Sequence, residues 1–136
     1  LRKYKKQRSK DFLLRKQRAI DTITNLTENL SQNEKLKITI FNQGEIYTGA
    51  YCSKNKQKAI KEIDDFLKEF EILPFTINDA IKFGEIKAQL KEKGKNCGDM
   101  DILIATIVIN NEEILYTNNI NHFSNIFNLK ICDWMQ

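Results

Sequence analysis

The sequence predicts an α/β domain with a central, mainly parallel sheet flanked by helices, and three observations lead there. Short β-branched runs alternate with amphipathic stretches, the rhythm of strand–helix–strand units whose strands pair in parallel. The run from Ile102 to Ile109 is apolar on all sides, as a helix enclosed by such a domain must be. The 136 residues fit one domain by length, and 41% hydrophobic with 29% charged residues is the balance of a globular chain.

Several classes are set aside at once. No apolar run approaches the length of a membrane span, and no secretory pattern opens the chain. Cys52, Cys97 and Cys132 form no C-x-x-C pair and are odd in number, which argues against a disulfide framework. His122 is the single histidine, too few for a zinc site of the Cys/His type. A cytoplasmic protein is expected, with no membrane partner.

The elements follow in order. Residues 1–11 form a basic N-terminal arm, helical or extended. Leu13, Leu14, Ala19, Ile20, Ile23, Leu26 and Leu30 recur at helical spacing, so an amphipathic helix runs from about Phe12 to Leu30. Lys37 to Phe41 is β-branched and reads as a strand, after which Asn42 suits the N-cap of a helix containing Glu45. Asn55 to Glu69 is a second amphipathic helix, presenting Ile60, Ile63, Phe66 and Leu67 to a core or to a second copy. Glu71 to Phe75 is a strand whose Pro74 places it at an edge or a strand end. Thr76 and Asp79 resemble a capping box for a helix to Lys93, and Gly94 suits the position just past its end. Gly98–Asp101 then turns into the apolar helix. Glu113 to Thr117 is a strand, Asn118 to His122 a loop, and Leu129 to Cys132 a last short strand.

Charge is unevenly spread. The net charge is +4, yet residues 1–18 carry Arg2, Lys3, Lys5, Lys6, Arg8, Lys10, Arg15, Lys16 and Arg18 against Asp11 alone. The remainder is slightly acidic. Such a segment suits a nucleic-acid backbone or an acidic partner, and equally a solvated helix face.

Ligands of parallel α/β sheets collect beyond the carboxyl ends of the strands. Glu45 follows one strand, Asp99 and Asp101 open the buried helix, and Asn118 and Asn119 follow another. Oxygen side chains converging there, with no Gly-rich phosphate loop, suit a hard divalent cation. Each also has a local explanation. Asp99 suits an N-cap, Glu45 a first helical turn, and Asn119 a turn after a strand.

From Ile38 to Trp134 the chain resembles PIN-domain ribonucleases, specifically the VapC-type toxins of toxin–antitoxin pairs. Ile38-Thr39-Ile40-Phe41-Asn42-Gln43-Gly44-Glu45-Ile46-Tyr47-Thr48-Gly49 is similar to the family's strand leading to an acid with glycine four positions on. Gly98-Asp99-Met100-Asp101-Ile102-Leu103-Ile104-Ala105 is similar to its acid before an apolar helix. Tyr116-Thr117-Asn118-Asn119-Ile120-Asn121-His122-Phe123 and Leu129-Lys130-Ile131-Cys132-Asp133-Trp134 are similar to its later motifs.

The resemblance implies a single PIN-like three-layer domain over residues 1–136 and a metal-dependent endoribonuclease that hydrolyses RNA phosphodiester bonds. It implies that Glu45 and Asp101 are catalytic metal ligands, that Asp99 is a secondary ligand or orients water, and that Asn119 stands where many members have a further acid. The cofactor implied is Mg²⁺ or Mn²⁺, and the partners are an RNA substrate, a cognate antitoxin and a second copy in a homodimer. The family also opens with an apolar strand ending in Asp-Thr or Asp-Ser, which residues 1–136 lack. Asp11 reads as a surface or helix-start residue. Either that strand lies upstream of Leu1, the preferred reading, or the chain has lost one ligand. The alternative function is therefore a catalytically inactive PIN-like module that binds nucleic acid or a partner protein.

Overall fold

Leu36–Thr39 (β1) and Phe70–Leu73 (β2) pair in parallel, with Leu36 opposite Phe70 and Thr39 opposite Leu73. Ile114–Tyr116 (β3) and Lys130–Cys132 (β4) form a second parallel pair, with Leu115 opposite Ile131. The computed structural model describes residues 36–117 and 119–133. The basic arm, the helix expected from Phe12 to Leu30, Asp11, Asn118 and Trp134 lie outside them.

Between the strands run Ile40–Tyr51 (α1), Lys56–Leu67 (α2), Ile77–Glu92 (α3), Asp99–Asn110 (α4) and the single turn Ile120–Phe123 (α5). The expected α/β alternation and parallel pairing are therefore present. Among the described residues the parallel pairing falls in two ladders, β1–β2 and β3–β4. What joins them is α4, which packs on α1, α3, α5, β1 and β3. The Lys37 ammonium also pairs with Glu113, bringing the beginnings of β1 and β3 side by side.

The helix starts explain where expected boundaries moved. The first strand ends at Thr39 rather than Phe41, because Thr39 and not Asn42 is the N-cap. Thr39 Oγ1 accepts from the Asn42 amide at 3.1 Å, and Asn42 Oδ1 accepts from the Thr39 amide at 3.1 Å. This reciprocal box satisfies two otherwise orphaned donors and draws Ile40 and Phe41 into α1. The second strand ends at Leu73 because Pro74 has no amide to continue a ladder.

Asn55 caps α2 as its sequence suggests, accepting from the Lys58 amide at 3.2 Å. The Thr76–Asp79 box forms, with Thr76 Oγ1 accepting from Asp79 at 3.2 Å and Asp79 Oδ2 accepting from Thr76 at 2.8 Å. At the other end of α3, Gly94 takes φ +64°, a left-handed conformation that suits glycine. The Lys95 amide then donates to Leu90 O at 2.9 Å and the Gly94 amide to Lys91 O at 3.1 Å, a Schellman ending.

α4 is the centre. Ile102, Ala105, Thr106 and Ile107 are at most 2% exposed, so no face of its middle meets water. Thr106 is accommodated there by donating its hydroxyl to Ile102 O at 2.7 Å. Ile86 and Leu90 of α3, Ile102 and Ala105 of α4, and Phe123 and Ile126 make one core, covered by Phe83, Cys97, Leu115 and Ile131. α5 falls where a loop is expected: Phe123 is 4% exposed, and burying it winds one helical turn.

Candidate active site

Gly98 is the N-cap of α4 and supplies no side-chain acceptor, unlike the caps of α1, α2 and α3. Asp99 is the first helical residue and not the cap, which corrects one local explanation for it. Asp99 and Asp101 both lie in the first turn, where the positive end of the helix favours anionic side chains.

Their partners differ. Asp99 Oδ1 accepts from Lys87 Nζ at 2.8 Å, across the α3–α4 contact. The Lys87 ammonium is thereby paired with a carboxylate. Asp101 Oδ2 lies 3.3 Å from His122 Nδ1. Because His122 belongs to α5, just past β3, this contact sets Asp101 beside the segment leaving the carboxyl end of that strand.

His122 is the site neighbour that sequence reasoning undervalued, taking it for a loop residue. It is held from behind, where the Cys97 thiol donates to the His122 carbonyl at 3.3 Å. Burial, and then the negative charges of Asp101 and Asp99, push the Cys97 thiol up from its ordinary range. The signal available in the sequence was position: His122 shares a short segment with Asn119, after a strand.

Asn119 is exposed and forms no side-chain cap; its amide donates to Thr117 Oγ1 at 3.0 Å. Thr117 is 9% exposed, so it is this hydroxyl that shapes the turn after β3. Glu45 is exposed in the second turn of α1, and no acid lies in the first turn of that helix. The macrodipole explanation of Glu45 therefore falls, since that effect fades within the first turn. α1 packs on α4, but the contacts that define the Asp99–Asp101 neighbourhood do not include Glu45.

Among the described residues, no three His, Cys, Asp or Glu side chains are grouped to hold a metal ion. Mg²⁺ needs no such cage, because it retains several waters and takes one or two carboxylates together with substrate phosphates. Asp101 and Asp99 are each reachable from solvent, at 28% and 62% side-chain exposure, so either carboxylate is open to an ion of that kind.

Comparison with known proteins agrees with this architecture. The model of the PIN domain matches residues 11–126, reaching further toward the amino terminus than the motifs that begin at Ile38. Ribonuclease VapC2 of Rickettsia felis is 33% identical over 114 residues, covering 84% of this chain and 85% of that protein. The tRNA(fMet)-specific endonuclease VapC of Salmonella typhimurium is 28% identical over 128 residues, covering 90% and 97%. The crystal structure of VapBC2 from Rickettsia felis, bound to a DNA fragment from their promoter, superposes with a TM-score of 0.76 at 33% identity, covering 82% of this chain and 84% of that one. With its buried helix α4, its parallel strand pairs and this similarity along most of its length, the chain belongs to the PIN-domain family, among the VapC ribonucleases.

Proposed function

We propose that this protein is an endoribonuclease, the toxin of a VapBC-type toxin–antitoxin pair, and that its activity requires Mg²⁺ or Mn²⁺. The observation that carries the reading is Asp101: a partly exposed carboxylate at the start of the most buried helix, facing His122 across from the exit of β3. A carboxylate fixed on a rigid element is what phosphodiester hydrolysis by a divalent cation needs. In this reading Glu45 and Asp101 are the ligands, with Asp99 and Asn119 beside them. Bound there, the ion supplies charge neutralisation at the phosphate and an activated water. The chain's own contribution is to hold Asp101 on α4, to keep the α5 turn against it through Cys97, and to attract the substrate. Lys91, Lys93 and Lys95, exposed around the end of α3, suit phosphate contacts.

The relatives' names support RNA as substrate, and the similarity to VapBC structures supports an antitoxin as partner. Ile77 and Ile81, one turn apart on α3 and 83% and 68% exposed, offer apolar surface for a protein partner, including a second copy of the chain. A cytoplasmic setting is part of the reading: Cys52, Cys97 and Cys132 are all free thiols, as in reducing compartments. Among the described residues no helix is long and apolar enough to cross a membrane.

The rival, an inactive module that binds RNA or protein, draws on the lack of a gathered metal-ligand trio among the described residues. Cleavage assays separate the two. Asp101→Asn or Glu45→Gln should lower RNA cleavage by at least about a hundredfold while leaving the fold intact. Cleavage at the parent rate by either variant sinks the assignment, and RNA binding without turnover, indifferent to chelator, establishes the rival.

A further inference from the structure

Asp99 and Asp101 open one helix, and successive residues of an α-helix are turned by about 100°, so these two point about 200° apart around the axis. They cannot face one ion together without one side chain swinging across. Lys87 holds Asp99 on its own side: Nζ donates to Asp99 Oδ1 at 2.8 Å and also lies 5.7 Å from the centre of the Phe83 ring, one turn earlier on α3. The carboxylate and the aromatic face together restrict a lysine whose side chain is 37% exposed. Among the described residues Asp101 has no lysine partner and instead faces His122 Nδ1 at 3.3 Å.

We infer that Lys87 is a positioning residue that ties Asp99 away from the metal site, leaving Asp101 as the carboxylate of α4 that ligates the ion. The inference rests on the metal-dependent nuclease reading and assigns unequal roles to two acids that the sequence presents as a pair. Lys87 competes with the ion for Asp99. Removing it frees a second carboxylate for the ion and takes away one nearby positive charge.

Calorimetric titration of the full chain with Mn²⁺, alongside RNA cleavage, tests this. Asp101→Asn should weaken Mn²⁺ binding by at least about tenfold, a loss of the size seen when metal sites lose a supporting group. Asp99→Asn should change it by less than about threefold, the scale of an exposed ion pair. Lys87→Met, which keeps an unbranched stem and removes the charge, should tighten Mn²⁺ binding by about two- to fivefold, and adding Asp99→Asn should remove most of that gain. Asp99→Asn weakening Mn²⁺ binding as much as Asp101→Asn does overturns the inference. So does Lys87→Met leaving affinity unchanged, or tightening it equally with and without Asp99, which is a bulk charge effect. These outcomes, in a parent that binds Mn²⁺ and cleaves RNA, leave the nuclease reading standing. A parent that binds no Mn²⁺ overturns the inference and the metal reading together.

Discussion

Cys97 stands behind the candidate site, against the backbone of the turn that carries His122. Its proton is engaged by the His122 carbonyl, and its pKa is raised, first by burial and then by Asp101 and Asp99. A raised thiol pKa means less thiolate at neutral pH, and thiolate is the species that reacts with alkylating agents. Cys52 and Cys132 are exposed. Iodoacetamide at neutral pH should therefore modify Cys97 several-fold more slowly than the other two, with the gap narrowing as pH rises; peptide mass mapping reads this directly. If Cys97 reacts first, the burial of the thiol and its hydrogen bond to His122 are wrong. His122 and Lys87 belong to the same scale. Neither contact could be read from spacing, because 21 residues separate His122 from Asp101 and 12 separate Lys87 from Asp99.

At the scale of elements, helix starts decide the boundaries. Thr39 is 3% exposed, closes β1 and opens α1, so its side chain serves two elements at once. Thr39→Ala should cost about 1–2 kcal/mol, read as a lowered urea midpoint with unchanged slope. α3 is anchored more heavily. Asp79, 2% exposed, accepts from the Thr76 amide and, through Oδ1, from Asn110 Nδ2 at 2.7 Å at the far end of α4. A single carboxylate thus caps one helix and ties it to the next. α4 itself depends on packing: Ile102→Ala removes a side chain 2% exposed in the core and should destabilise by about 2–5 kcal/mol in the same assay. The Thr76–Asp79 box and the Gly94 ending were legible beforehand, because both are local patterns of hydrogen-bonding side chain and permitted φ. Thr39 was overlooked as a cap because the β-branched run around it has the same composition as a strand.

At the scale of the whole molecule, charge and function meet. The net charge of +4 arises from the segment Arg2 to Arg18, while the remainder is slightly acidic and holds Glu45, Asp99 and Asp101. Acids repel RNA, so binding must draw on the basic residues, and counterion release then makes it depend on salt. With Asp101→Asn as a non-cleaving background, RNA affinity should fall steeply with salt. Replacing Lys3, Lys5 and Lys6 by Gln should flatten that dependence by about two units of log–log slope, near 0.7 for each lost single-strand phosphate contact. Fluorescence anisotropy over a salt series measures it, and an unchanged slope removes the arm from the RNA-binding surface.

The sequence alone determined the α/β class, the sense of strand pairing and most helix positions among the described residues, and it nominated Asp101 as a candidate ligand. Those features rest on periodicity, local capping and a motif order that survive in one dimension. Only the tertiary structure decided that the described strands form two ladders joined by α4, that Glu45 stands beyond the first turn of its helix, and that Asp99 and Asp101 have different partners. The physical reason is that a charge acquires its role from what is packed within a few ångströms of it. For these residues the neighbours come from Lys87 within α3 and from α5 beyond β3, and which side chains meet there is decided by packing.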